Sequence, residues 1–179
     1  MINRTSIFTA AITASFGLII PQSVIAQSPN IQTKGPIIHL ADNLGEEAML
    51  GWCIDTKGRD LSDQLHAHSC KPQGDDVLFS FTPETGMIES ATYEGLCMSY
   101  NDPENAVFPF GLIACDDADA GQHFAYDATS MQLHLAADAA QCVTVSATIS
   151  DAGPFQSRDL ILAACDDLDP SFKQWVIQQ

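Results

Sequence analysis

The sequence Gly51-Trp52-Cys53-Ile54-Asp55 begins a unit that the chain repeats twice more. A glycine or another small residue, followed by a cysteine in an apolar run, recurs as Gly95-Leu96-Cys97 and as Ala140-Gln141-Cys142. Self-similarity at a period of about 20–50 residues is typical of folds built from repeated supersecondary units, which bury a core only together. The repeat therefore determines the fold class.

The second half of each unit repeats as well. An apolar run ends in a second cysteine, and each unit closes on an aromatic residue. The first cysteines lie 44 residues (53 to 97) and 45 residues (97 to 142) apart, and the second cysteines lie 45 (70 to 115) and 50 (115 to 165) apart. The third unit is therefore longer than the others. Its extra residues fall within 146–158, which are rich in Ser, Asp, Gly and Pro and predict a lengthened loop.

Residues 1–26 have the pattern of a secretory signal peptide. Arg4 is the positive charge, residues 7–20 are the apolar stretch, and Val24-Ile25-Ala26 is a small-residue cleavage site. The apolar stretch is shorter than the roughly 20 residues of a membrane helix, so we predict no membrane span. The sequence predicts a secreted or periplasmic protein.

The six cysteines of an exported chain predict disulfides rather than metal ligands or nucleophiles. Many connectivities are open to six cysteines, but the repeat selects one bridge per unit: Cys53–Cys70, Cys97–Cys115 and Cys142–Cys165. The Cys-x-x-Cys pairs of zinc sites are missing from the sequence. We expect no metal and no cofactor.

The charge of the chain limits which classes of ligand it can bind. The chain of 179 residues carries a formal net charge of −16, which repels phosphates and makes nucleic acid and anionic lipid poor ligands. Residues 27–34 are polar and lack periodicity, so they predict a disordered lead-in. No esterase elbow, phosphate loop or zinc-protease helix occurs, and we expect no enzymatic activity.

Short strand-like runs bounded by turn residues fill the rest of the chain. Four such runs occur in each of three units, at about 35–83, 84–128 and 129–179, which predicts an all-β fold of about twelve strands. Alternation places Leu65 and Ala67 on one face of a strand, with His66 and His68 on the opposite face. The closing aromatics are predicted to be core wedges related by pseudo-threefold symmetry: Phe79, Phe124 and Trp175.

These residues resemble the ricin-B-type β-trefoil lectins. The resemblance rests on Cys53-Ile54-Asp55, on the cysteine spacing in three copies, and on a Gln-x-aromatic signature at Gln122-His123-Phe124. It covers about residues 35–179 and implies a β-trefoil. Val77 and Lys173 stand where the signature has glutamine in the first and third copies.

The resemblance also implies sugar binding in one copy. In the family, an aspartate two residues after the first cysteine accepts hydrogen bonds from sugar hydroxyls. An aromatic side chain two residues before the second cysteine stacks on the sugar ring, and an amide three residues before the closing aromatic completes the polar side of the pocket. The first copy offers Asp55, His66, His68 and Asp76. The other copies offer Ser99, Gly111, Ile113 and Gly121, and Thr144, Ile161, Ala163 and Phe172. We therefore expect one carbohydrate pocket, for a galactose-type or other glycan, in the first copy.

Other interpretations stay open. His66 and His68 with Asp55 and Asp76 are also competent ligands for zinc or another transition metal. The repeated acidic loops at 115–119 and 165–169 are predicted to be turn-capping aspartates rather than calcium sites. A degenerate trefoil that has lost sugar binding and acts as a structural module, or binds an unknown protein partner, is the alternative function. Arg158 in the long loop is a candidate anchor for protease inhibition.

Overall fold

The computed structural model describes residues 27–58, 61–100 and 108–179. These residues contain fourteen short strands. The predicted signal peptide at 1–26 lies outside them. The first unit contains β1 Ile37–Leu40, β2 Trp52–Thr56, β3 Leu65–Ser69 and β4 Phe79–Thr82. The second contains β5 Met87–Ser90, β6 Leu96–Tyr100, β7 Phe110–Ala114 and β8 Phe124–Asp127. The third contains β9 Gln132–Leu135, β10 Asp138–Val145, β11 Ser150–Ala152, β12 Phe155–Arg158, β13 Leu160–Ala164 and β14 Trp175–Gln178.

The strands pair in the same way in all three units. The middle strands form antiparallel hairpins, β2 with β3, β6 with β7, and β10 with β13. The outer strands pair across unit boundaries, β4 with β5, β8 with β9, and β14 back to β1. This closed threefold arrangement is a β-trefoil, which confirms the predicted fold.

A backbone hydrogen bond at each closing aromatic repeats the threefold pattern. The amides of Phe79, Phe124 and Trp175 donate to the carbonyls of Pro36, Gly86 and Met131 at 3.0, 2.7 and 2.7 Å. The backbones approach closely here, because a Cβ on Gly86 would lie 2.6 Å from the Phe124 carbonyl oxygen. The φ of Gly86 is +74°, a region that L side chains rarely adopt.

The core lies where the three units meet. Phe79, Phe124 and Trp175 are fully or almost fully buried there, which confirms the predicted wedges. The indole of Trp175 donates to the Val143 carbonyl at 2.8 Å, so its polar atom is satisfied inside the core. Leu65 and Ala67 also face this core, as their alternation predicted.

The three disulfides are Cys53–Cys70, Cys97–Cys115 and Cys142–Cys165, as predicted from the repeat. Each closes the hairpin formed by the middle strands of its unit. Closing a loop of 17 to 23 residues removes conformational entropy from the unfolded chain, by roughly 3 kcal/mol per bridge in the chain-entropy description. The bridges therefore stabilise a fold whose contacts are mostly non-local.

The acidic loops form capped turns and short 3₁₀ helices at Ala120–Gln122, Cys165–Asp167 and Pro170–Phe172. Asp119 accepts from the Gly121 amide and Asp169 from the Ser171 amide, each at 2.9 Å. These bonds confirm the turn-capping interpretation. Within the described residues, no helix has the length and apolar character needed to span a bilayer.

Two predictions from composition are wrong. Residues 27–34 are not a disordered lead-in: the Asn30 amide donates to the Met49 carbonyl at 2.7 Å, and buried Thr33 donates to the Lys71 carbonyl at 3.0 Å. Residues 146–158 are not a simple loop, because they contain the hairpin β11–β12. In both segments, hydrogen bonds to other parts of the fold order residues whose composition alone favours irregular structure.

Candidate functional site

The inserted hairpin of the third unit covers the middle hairpin of the first. Strand β12 pairs with β3, with Ser157 opposite His68 and Arg158 opposite Ala67. The ring of Phe155 meets the ring of His68 edge-on at 5.6 Å. His66 and His68 do lie on the face opposite the core, as predicted, but the hairpin leaves each only 6% exposed.

Arg158 fastens this hairpin to the first unit. Its guanidinium lies 4.7 Å from the Trp52 ring and donates to the Leu44 carbonyl at 2.7 Å. It also donates to the carbonyls of Ser146 and Ala147 at 2.8 and 2.9 Å. Because Arg158 is buried by these contacts, the prediction that it serves as an exposed anchor for a protease is wrong.

A second set of hydrogen bonds fixes the neighbouring backbone. The Gln156 amide donates to Ser69 Oγ at 3.1 Å, and Ser69 Oγ donates to the buried carboxylate of Glu46 at 2.8 Å. The Gln156 side chain accepts from the Glu47 amide at 3.0 Å. The hairpin is thus held to the first unit by both side-chain and backbone hydrogen bonds and forms a wall beside strand β3.

A cavity of about 430 Å³ lies between this wall and strand β3. His66, His68, Lys71 and Asp76 form its polar side, and Phe155 forms an aromatic side. Its remaining lining is Gly58, Ala152, Gly153 and Pro154. Small-molecule sites typically have volumes of about 300–1,000 Å³ and combine apolar walls with a few convergent polar groups.

His66, which lines the cavity, carries an unpaired polar atom. Its Nε2 is buried and has no hydrogen-bond partner in the described part of the chain. Burial, reinforced by the neighbouring charges of His68, Lys57 and Lys71, lowers the pKa of His66 to about 3. The ring is therefore neutral near neutral pH, where one nitrogen donates and the other accepts.

His68 is oriented by the backbone. Its Nδ1 donates to the Ser69 carbonyl at 2.9 Å, since a carbonyl oxygen can only accept. Burial lowers the pKa of His68, so the ring is neutral and its Nε2 is an acceptor. Its ring centroid lies 5.3 Å from that of His66, so the two imidazoles form one polar edge of the cavity.

Lys71 lies between two carboxylates. Its ammonium is 2.8 Å from Asp55 Oδ2 and 2.6 Å from Asp76 Oδ2. Burial disfavours the charged ammonium, but attraction to Asp55 and Asp76 outweighs burial and raises the pKa of Lys71. Lys71 therefore occupies the position between the carboxylates that a bound cation would need.

Asp55 is completely buried, with no exposed surface, and it lies beneath Lys71 rather than in the cavity wall. Burial raises the pKa of Asp55 to about 7, although the Lys71 ammonium opposes this shift. Asp55 Oδ1 has no hydrogen-bond partner among the described residues. The aspartate that the resemblance assigns to sugar hydroxyls is thus directed at a lysine.

Of the residues predicted from the sequence, the cavity brings together His66, His68 and Asp76, with Asp55 behind them. Lys71 and Phe155 were missed. Lys71 directly follows the second cysteine of its unit, but nothing in the repeat assigns a role to that position. Phe155 is in the insertion, where the signal for a hairpin was the dipeptide Gly153-Pro154.

The corresponding positions of the other two units make internal contacts. Ser99 donates to Asp119 at 3.3 Å, and a Cβ on Gly121 would lie 2.5 Å from the Tyr100 carbonyl oxygen. Thr144 donates to the Phe172 carbonyl at 2.7 Å. These side chains are satisfied without a ligand, in contrast to His66.

The one group of three potential metal ligands within 4.8 Å of one another in the described residues is His134, Cys142 and Cys165. Both cysteines are in a disulfide, which removes their thiolates as ligands. His66, His68, Asp55 and Asp76 do not form such a group in the described part of the chain. The geometry therefore gives no support to the zinc interpretation.

Comparison with protein-family models and with curated proteins gives no match. Solved structures do match. The agglutinin from Abrus precatorius has a TM-score of 0.55 at 12% identity, and covers 80% of this chain and 46% of that one. GalNAc-T7, crystallised with UDP, GalNAc and Mn²⁺, has a TM-score of 0.55 at 14% identity. The match covers 84% of this chain and 23% of the GalNAc-T7 chain. The cytolethal distending toxin from Actinobacillus actinomycetemcomitans has a TM-score of 0.54 at 13% identity, and covers 80% and 90%.

The similarity to these structures shows that this chain has the β-trefoil fold. The chain spans about half the length of the agglutinin chain and about a quarter of the GalNAc-T7 chain.

Proposed function

We propose that this chain is a secreted, non-enzymatic carbohydrate-binding module with one sugar pocket, in its first unit. The β-trefoil shared with an agglutinin supports binding of carbohydrate as the general activity. The three disulfides support an oxidising compartment, either the periplasm or the outside of the cell.

The observation that carries the proposal is that His66, whose buried Nε2 has no hydrogen-bond partner among the described residues, lines a cavity with an aromatic wall. A buried polar atom without a partner is destabilising by about 1–3 kcal/mol, so a ligand that supplies the missing bond is favoured. A hydroxyl group both donates and accepts, and it can therefore pair with His66 in either tautomer. Sugars carry several hydroxyls at fixed positions.

The other walls suit a sugar ring. The Phe155 side chain offers an apolar surface for the C–H face of a pyranose. His68 Nε2 is an acceptor, the Asp76 carboxylate accepts, and the Lys71 ammonium donates. Together these groups supply both donors and acceptors in a small volume.

A single pocket of this kind predicts weak binding. With the positions of the other units satisfied internally, the avidity of several sites is not available to the monomer. We expect dissociation constants of about 1 mM, equivalent to roughly 4 kcal/mol of binding free energy. Galactose-type sugars are the first ligands to test.

The test is a glycan array probed with the disulfide-bonded protein, displayed in several copies on one carrier to offset weak affinity. We expect binding by the wild type, and loss of binding by His66→Gln and Phe155→Ala. The matched control is His123→Gln, a histidine in the second unit whose nitrogens contact the carbonyls of Thr85 and Asp117. Equal binding by the wild type and His66→Gln would contradict the assigned pocket.

The second candidate function is a degenerate trefoil that serves as a structural or protein-interaction module. The observation that favours it is the ion pair between Lys71 and Asp55, which removes a carboxylate that the resemblance assigns to sugar binding. A folded wild-type protein that binds no glycan at millimolar concentration selects this candidate over the first.

A further inference from the structure

The cavity beneath the hairpin adjoins a larger groove, and we call the two spaces together the cleft. A groove of about 970 Å³ shares Lys71, Asp76 and Phe155 with the cavity of about 430 Å³, so the two spaces are adjacent. We call the smaller space the inner compartment and the larger groove the outer compartment. Phe155 lies at the boundary between them.

The cleft has a larger volume than one sugar unit would fill. Each compartment alone falls within the range of about 300–1,000 Å³ that is usual for a complete small-molecule site. A monosaccharide in the inner compartment would leave the outer compartment empty. A ligand that fills both must be longer than one sugar unit.

The outer compartment has apolar side chains next to polar ones. Leu61, Pro72 and Tyr93 line it together with Gln73 and Thr92. Leu61 is 56% exposed, and it is one of two large hydrophobic side chains exposed in the described residues. A sugar chain presents the same mixture, because each ring has an apolar face and a rim of hydroxyls.

Charge in the cleft disfavours acidic ligands. Lys71 pairs with Asp76 and with buried Asp55, and Asp75 adds a further carboxylate to the lining of the outer compartment. The chain as a whole carries a net charge of −16. Among the described residues that line the cleft, the one ammonium is that of Lys71, which two carboxylates already pair, so a uronate or sulfate group would lose hydration without gaining that charge.

We propose that the cleft binds an uncharged oligosaccharide, with one sugar unit in the inner compartment against His66 and Phe155 and the next unit in the outer compartment against Leu61 and Tyr93. This proposal rests on the proposed function and deepens it by naming the ligand class. The inserted hairpin supplies the shared wall, so the cleft is a feature of this chain's third unit as well as its first.

The test compares three monosaccharides with their β-linked tetrasaccharides by calorimetry on the wild-type chain. The pairs are galactose and galactotetraose, glucose and cellotetraose, and N-acetylglucosamine and chitotetraose. In at least one pair we expect the tetrasaccharide to bind about tenfold tighter or more, the equivalent of about 1.4 kcal/mol. Tetragalacturonate is expected not to bind.

Variants separate the compartments. Leu61→Ser and Tyr93→Ala are expected to reduce tetrasaccharide affinity to that of the monosaccharide, while His66→Gln reduces both affinities. Because Leu61 is exposed, Leu61→Ser is expected to fold. It therefore still tests the outer compartment if Tyr93→Ala fails to fold. The control is Ile149→Ser, the other exposed apolar residue, which lines neither compartment.

The outcomes distinguish the two proposals. Equal affinity for monosaccharide and tetrasaccharide, or no effect of Leu61→Ser, overturns the extended cleft and leaves the single pocket in place. Absence of binding for all six neutral sugars by the folded protein overturns both. Tighter binding of tetragalacturonate than of galactotetraose overturns the uncharged class.

Discussion

Lys71 determines the charge of the site because it neutralises Asp55, which has no exposed surface. Replacing Lys71 by Met leaves a buried carboxyl group without its counter-charge. We expect the free energy of unfolding to fall by about 3–5 kcal/mol near pH 8, measured by urea denaturation. The loss is expected to be smaller near pH 5, because a carboxyl group whose pKa is raised on folding loses stability as pH rises.

Adding Asp55→Asn to Lys71→Met removes the buried charge and is expected to restore most of the stability. Lys34→Met is the control, since Lys34 is exposed. A double variant no more stable than Lys71→Met would contradict the assignment of Asp55 as the group that Lys71 neutralises.

His66 predicts a dependence of stability on pH. Its pKa is lowered by burial from 6.5 to about 3, so between these values the unfolded chain binds a proton that the folded chain does not. Stability therefore falls as pH decreases through this window. His66→Gln removes this loss, and its stability relative to the wild type is expected to rise by up to about 1.4 kcal/mol per pH unit on acidification from pH 6.5.

The measurement is urea denaturation of both proteins at several values between about pH 4 and pH 7. The surface variant His123→Gln serves as the control, because the carbonyls of Thr85 and Asp117 raise rather than lower the pKa of His123. Parallel pH profiles for wild type and His66→Gln would contradict a buried, neutral imidazole.

At the residue scale, the sequence placed side chains on the correct face but not in the correct environment. Alternation along β3 was enough to separate His66 and His68 from Leu65 and Ala67. It could not show that the two histidines are buried, because the residues that cover them come from the third unit. Nor could it show that Lys71 reaches Asp55, since side-chain reach depends on the tertiary fold.

The hairpin β11–β12 is the element that makes the site. Ala152 pairs with Phe155, which leaves Gly153 and Pro154 as a two-residue turn, and the φ of Gly153 is +70°. A glycine with positive φ at this position matches the turns that join antiparallel strands. The composition of residues 146–158 predicted a loop because turn-forming residues are frequent in both structures.

Arg158 is expected to control the order of this hairpin. Arg158→Met removes its hydrogen bonds to the carbonyls of Leu44, Ser146 and Ala147. We expect faster amide hydrogen exchange across 150–158 and weaker glycan binding, because Phe155 loses its fixed position. Amides of β6 in the second unit, such as Met98, report on global stability.

Unchanged exchange across 150–158 in Arg158→Met would contradict this anchoring role. Lys34→Met is again the control, because it removes a positive charge that lies outside the hairpin.

At the scale of the molecule, the described residues form a threefold scaffold, and the proposed site lies where the third unit departs from the repeat. Cysteines and closing aromatics recur because each unit needs the same staple and the same wedge, and this recurrence made the trefoil predictable. The site was less predictable, because it depends on how the third unit departs from the repeat.

Removing one disulfide at a time tests whether the scaffold and the proposed site are separate. Replacing Cys97 and Cys115 by Ala is expected to lower the free energy of unfolding by about 3 kcal/mol and to leave glycan affinity unchanged in the folded protein. Replacing Cys53 and Cys70 removes a loop of almost equal length, 17 against 18 residues. It is expected to lower stability similarly and to weaken glycan binding, since this bridge joins the strands that carry Asp55 and His66.

Stability is measured by urea denaturation, and affinity on the fraction that remains folded. Equal loss of glycan binding in the two double variants would contradict a site that includes the strands of the first unit and excludes those of the second.

The most direct measurement is a titration of the ¹⁵N-labelled protein with the best-binding neutral glycan, followed by amide and imidazole NMR shifts. A pocket between β3 of the first unit and the inserted hairpin predicts shifts at His66, His68, Lys71 and Phe155. It predicts none at the corresponding positions Gly111, Ile113, Ile161 and Ala163. Shifts centred on these corresponding positions of the second and third units, or no shifts at millimolar glycan, would contradict it.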